Sequence, residues 1–110
     1  MDESRSLQPL KPADFQILLC LAGGPRHGYE IMKEVEHETG GRVRLEVGTL
    51  YRILARLLDE GLLEEADAEG RRRNYRLTPA GRRALKAEAE RLAGVVDRLR
   101  ARKLLPRAEG

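Results

Sequence analysis

The sequence has no tryptophan, one cysteine, two histidines and only four aromatic residues, Phe15, Tyr29, Tyr51 and Tyr75. Each shortage removes a class of chemistry. A lone Cys20 excludes an intrachain disulfide, and with only His27 and His37 beside it neither a zinc-ligand spacing nor a cysteine–histidine catalytic pair can be assembled. No nucleophile, base and orienting group are suggested by spacing, so an enzyme is not expected, and neither is a cofactor or a metal. With so few aromatic rings there is little from which to build a stacking site for a flat ligand. No apolar run approaches the roughly 18 to 20 residues needed to cross a bilayer, and the start, MDESRSLQPL, is acidic and polar where a signal peptide is basic and then apolar. A cytoplasmic protein without membrane contact is expected. Cys20 lies inside FQILLCLAG, which favours a buried structural thiol over a redox sensor.

What is present is charge. The 110 residues suffice for one hydrophobic core and are too few for two ordinary domains. The net charge of +3 conceals an asymmetry: residues 1–70 hold eight basic and 14 acidic side chains, whereas residues 71–110 hold 13 and four. Nearly all the attraction for a polyanion therefore follows Gly70, which points to nucleic acid or an anionic surface, against the simpler alternative of a solvated face.

The chain reads as a series of short helices. Pro12-Ala13-Asp14 introduces a first helix with Ile17, Leu18 and Leu21 on its apolar side, ended by Gly23, Gly24 and Pro25. A second, of about three turns, carries Tyr29, Ile31, Met32 and Val35 on its apolar side and closes at Gly40-Gly41. Residues 42–46, RVRLE, are too short for a helix and form a connector or a very short strand. In VGTLYRILARLLDEGLL, residues 47–63, the positions of Leu50, Leu54, Leu57, Leu58 and Gly61 fall within about 100° of arc, and Thr49, Arg52 and Arg56 within about 60° on the other side. Gly48-Thr49 leaves the first backbone N–H groups open to an anion.

Residues 62–77, LLEEADAEGRRRNYRL, have the pattern of a β-hairpin turning at Asp67-Ala68-Glu69-Gly70. Tyr75 and Leu77 share one face and Arg72, Asn74 and Arg76 the other, with Glu64 and Glu65 placed to pair with the arginines. Thr78-Pro79 is a strong helix start, and a final helix of about 25 residues, roughly 37 Å, is expected before Pro106. Leu85, Leu92 and Leu99 recur every seventh residue, with Ala89, Val95 and Val96 between them, a seam fit for a second copy of the helix.

This order is that of a winged helix-turn-helix, mainly α with a small β-hairpin, in which residues 1–78 bind DNA and residues 79–105 form a dimerisation helix of the same compact unit. A helix in the major groove presents side chains to base edges while a hairpin reaches the adjacent backbone or minor groove. Arg52 and Arg56 suit either guanine or phosphate. A winged helix that binds protein instead of DNA is the alternative, disfavoured because the polar arc and Arg71, Arg72 and Arg73 lack the apolar anchors of such a face.

GGPRHGYEI at residues 23–31, GTLY at 48–51, LLDEGLL at 57–63 and GRRRNYRLTPAG at 70–81 together resemble the PadR family of bacterial transcriptional regulators over about residues 13–100. The resemblance implies a homodimeric repressor joined through its C-terminal helix, with an effector sensed near that interface. It places the recognition role on Thr49, Tyr51 and Arg52 and the wing role on Arg71, Arg72 and Arg73. His27-Gly28-Tyr29 match a motif taken as mainly structural, with Tyr29 expected in the core. Tyr51 borders the core stripe, and burial and a phosphate hydrogen bond remain equal alternatives for it. Many relatives have proline where this chain has Arg52, which adds a charged reader. A single C-terminal helix is similar to the family's short subgroup. The expected partners are a pseudo-palindromic duplex and a second copy of the chain, with a small apolar effector, seated between the first and last helices, as a further candidate.

Overall fold

Proline and glycine set the first boundaries. In the computed structural model, which describes residues 9–70 and 72–107, α1 spans Pro12–Leu21 with Pro12 in its first turn, where a missing N–H costs nothing. It buries Ile17, Leu18, Cys20 and Leu21. The second helix, α2, spans Gly28–Glu38 and buries Ile31 and Val35, and α3 spans Val47–Asp59 and buries Leu50, Ile53, Leu54 and Leu57. Residues 42–46 are a connector without strand. These faces meet as one core, joined by Leu63, Tyr75 and Leu85.

Three strands, not two, make the sheet. A two-residue β1, Arg26–His27, joins the hairpin of β2 (Leu63–Glu69) and β3 (Arg72–Leu77) in the antiparallel order β1-β3-β2. Arg26 stands opposite Tyr75, and His27 opposite Asn74. Within the hairpin Glu64 faces Arg76 and Glu65 faces Tyr75, with an irregularity between Ala66 and Glu69. The expected turn over residues 67–70 is corrected: β2 continues to Glu69, and the chain reverses beyond it with Gly70 at φ 63°. The register irregularity absorbs the extra length. Tyr75 is buried and Arg72 and Arg76 are exposed, so the alternation of faces is as expected.

The last helix, α4, spans Pro79–Ala101, capped by Thr78, whose hydroxyl accepts from the Gly81 N–H at 3.0 Å. It stops earlier than Pro106 because the backbone turns left-handed at Lys103 (φ 61°) and the Leu104 N–H reaches back to the Leu99 carbonyl at 2.8 Å. That is a Schellman-type ending, here without its usual glycine. Near its start α4 lies so close to the α3–β2 junction that a Cβ on Gly81 would collide with the Leu62 carbonyl. Four helices and a small antiparallel sheet in this order, among the described residues, form a winged helix-turn-helix followed by a long helix.

Two buried acids pin α1 and the residues leading into it. Asp14 receives both of its hydrogen bonds from Arg56 Nη2 on α3, at 2.8 and 2.9 Å. Glu88 on α4 accepts from the Leu10 N–H at 3.3 Å and from Arg91, whose guanidinium holds its carboxyl below the usual range.

Candidate nucleic-acid interface

The outward face of α3 is built by what its inward face consumes. With Leu50, Ile53, Leu54 and Leu57 in the core, the residues left exposed are Val47, Gly48, Tyr51, Arg52 and Ala55 over the first two turns and Asp59 at the end. On a helical wheel this arc is rotated by about a quarter turn from the Thr49, Arg52, Arg56 arc that charge alone marks out. Thr49 and Arg56 are half-buried at its flank. Arg56 is committed: besides Asp14 it pairs with Glu60 at 3.5 Å, and Asp14 raises its already high pKa. Arg52, one turn earlier, makes no ion pair among the described residues.

No side chain caps the start of α3, so the N–H groups of its first turn lie open behind Glu46. The second helix is capped differently. His27 Nδ1 accepts from the Glu30 N–H at 3.3 Å while Glu30 Oε1 accepts from the His27 N–H at 3.1 Å, a capping box with histidine in the serine position. Arg72 Nη1 lies 3.1 Å from the other ring nitrogen. A neutral imidazole accepts at only one nitrogen, so the tautomer that caps α2 presents Nε2–H and leaves the Arg72 guanidinium to other acceptors.

His27, Gly28, Tyr29, Tyr51, Arg72, Arg73 and Tyr75 line one cleft of about 320 Å³. Gly28 makes the cleft possible: a Cβ there would stand 2.5 Å from the Tyr51 hydroxyl, so the phenol crosses the α2 terminus only because no side chain intervenes. Of the two alternatives for Tyr51, the structure shows exposure, at 47%. Tyr29 corrects an expectation outright. At 57% exposure it is outside the core, with Lys33 Nζ 5.1 Å from its ring centroid, because it lies about 140° around α2 from the direction of Ile31 and Val35, which turn inward.

The wing brings fewer free cations than the sequence suggests. Arg73 pairs with Glu65 at 3.3 Å and Arg76 with Glu64 at 2.7 Å, as the hairpin pattern indicated, and Arg71 lies outside the described residues. The structure thus gathers Tyr51, Arg72 and Arg73 into one cleft, leaves Arg52 beside it on α3, and separates Thr49 and Arg56 from both. Missed at the sequence level were His27 as a cap and Val47 and Ala55 on the exposed arc. The His-x-x-Glu spacing was the available signal for the first.

The profile of the Transcriptional regulator PadR-like family matches residues 17–87, which spans α1 to the first half of α4. The chain belongs to the PadR-like family. Its members are transcription regulators rather than enzymes. This PadR-like chain is 41% identical over 87 residues to an uncharacterized 37.1 kDa protein in transposon TN4556 of Streptomyces fradiae, covering 79% of the chain and 25% of that protein. Among solved structures, a transcriptional regulator from Clostridium thermocellum is 31% identical with a TM-score of 0.68, covering 81% of this chain and 87% of that one. Bacillus subtilis PadR in complex with operator DNA is 27% identical with a TM-score of 0.62, covering 71% and 46%. The PadR-like chain spans a quarter of the length of the Streptomyces relative and under half of the Bacillus one.

Proposed function

We propose that this PadR-like chain binds duplex DNA as a symmetric dimer, with α3 reading the major groove and the wing gripping the backbone, and represses transcription in the cytoplasm until an effector releases it. One observation carries the reading: an exposed α3 arc whose sole cation, Arg52, is unpaired among the described residues, flanked by a cleft holding Tyr51 and Arg72. Arg52 suits a guanine edge, and Val47 and Ala55 suit thymine methyl groups. Asp59, exposed at the far end, repels phosphate and confines insertion to the first two turns. Tyr51 and Arg72 supply phosphate donors, with Thr49 and Arg73 at the periphery. Arg56 serves by fixing α3 against α1. The operator complex of Bacillus subtilis PadR supports the reading.

Dimerisation is assigned to α4. Leu85 is already 8% exposed within its own domain, so the shared surface begins beyond it, at Leu92, Val95, Val96 and Leu99, which are half-buried on the same side, with Ala89 at its edge. Footprinting on DNA upstream of the protein's own coding region is the test. Two protected half-sites about one helical turn apart, roughly 34 to 36 Å, are expected, and protection of one asymmetric half-site sinks the symmetric geometry.

A further inference from the structure

A small apolar effector is expected between α1 and α4, and the described residues also offer half-open space elsewhere. Between α1 and α2 lies a cavity of about 340 Å³, within the range of small-molecule sites. Its apolar lining comes from Leu19, Cys20, Gly23 and Val35, and its polar lining from Gln16, Glu34 and Glu38. The charge inside is of one sign. Leu19, at the rim, is 49% exposed, so an apolar group can enter past it.

Glu34 is the pivotal residue. Its carboxyl is held below the usual range, first by a hydrogen bond from the Cys20 thiol and then by Arg26, so it carries full charge at neutral pH. Arg26 Nε reaches Glu34 Oε1 at 3.3 Å from outside the cavity, passing over Gly23. Glu38 makes no ion pair among the described residues.

We infer that this cavity binds a small organic cation with an apolar body, whose ammonium displaces Arg26 from Glu34 and thereby weakens DNA binding. The ligand's apolar part packs on Leu19 and Val35, while its charge meets Glu34 and Glu38. Displacement matters because Arg26 is half of β1. Opposite it on β3 stands Tyr75, and the next residue, His27, both caps α2 and approaches Arg72. Loosening Arg26 therefore loosens the strand that ties the wing to the second helix. The coupling to DNA rests on the proposed function; binding in the cavity does not.

The test uses three matched probes without DNA: 2-phenylethylamine, 2-phenylethanol and phenylacetate. Titration calorimetry should show the amine binding at least tenfold more tightly than the other two, with the methyl signals of Leu19 and Val35 moving in NMR spectra. Glu34→Gln should reduce the preference to within about threefold, and Glu38→Gln should weaken it if the first variant folds poorly. Leu19→Trp should fill the cavity and block all three probes. Equal affinity for the probes, or unmoved Leu19 and Val35 signals at saturating amine, overturns the site. The footprinted duplex is then titrated with and without amine. At least fivefold weaker binding is expected in the natural chain and none in Leu19→Trp, and unchanged DNA affinity at saturation overturns the coupling. A protein that binds the amine at these methyls but never binds DNA refutes the proposed function alone.

Discussion

Both α3 and α4 are amphipathic helices of one small domain, yet they spend their apolar faces differently. The third helix places Leu50, Leu54 and Leu57 wholly inside, and what it leaves over is a mixed surface of Val47, Tyr51, Arg52 and Ala55. Helix α4 buries Leu85 and Glu88, then outruns the body, and the rest of its apolar face, Leu92 to Leu99, stays half-exposed. On the proposed function, a residual surface whose arginine is unpaired among the described residues serves a polyanion, and a residual apolar stripe serves another copy of the chain. What a helix has left after packing is the better guide to its partner than its composition.

The comparison breaks most sharply at the stripe. Replacing Leu92 and Leu99 together by Lys should leave monomers in sedimentation equilibrium, since each ammonium enclosed in an apolar seam costs several kcal/mol. A double variant that stays dimeric moves the interface elsewhere. In that monomeric background the two faces can be weighed: Leu54→Ala should lower the unfolding free energy in urea by about 2–5 kcal/mol and Val95→Ala by under about 1 kcal/mol. Equal costs would mean that the far half of α4 is packed as fully as α3.

Two arginines one turn apart sharpen the comparison within α3. Arg56→Ala strands the buried Asp14 carboxylate and should cost about 1–3 kcal/mol of stability, moderated because Arg56 is partly solvated. Arg52→Ala should leave stability nearly unchanged and cost operator binding about 1–3 kcal/mol, with less loss on random duplex. Identical losses on both duplexes would make Arg52 a phosphate clamp. The smallest effect belongs to the wing. Arg72→Ala should flatten the slope of log affinity against log salt by about 0.9, the value for one phosphate contact. Arg73→Ala should flatten it less, because Glu65 already engages that guanidinium; equal slopes would show that this pair opens on DNA.

Periodicity made the helices and the hairpin legible because each signal is local. Leu50, Leu54 and Leu57 recur at helical spacing, Tyr75 and Leu77 alternate, and Thr78-Pro79 marks a start within two residues. Strand β1 escaped because two residues cannot display an alternation, and Arg26–His27 is a strand only through β3, far along the chain. The direction faced by α3 is hidden from the sequence for the same reason. Arg56 has the charge of a surface reader, but its carboxylate partner is 42 residues earlier, and nothing near Arg56 announces it. Tyr29 differs in another way: it is apolar by type, but it lies about 140° around α2 from Ile31 and Val35, while its neighbour Gly28 is buried.

Burial and the Glu34 hydrogen bond push the Cys20 thiol up to about 12. At neutral pH the thiolate, the form that maleimides, iodoacetamides and oxidants attack, is scarce. The natural chain therefore behaves towards such reagents almost as if it had no cysteine. A fluorophore or spin label can be carried on a cysteine engineered at an exposed position such as Glu90, without first removing Cys20 and the hydrogen bond it lends to Glu34.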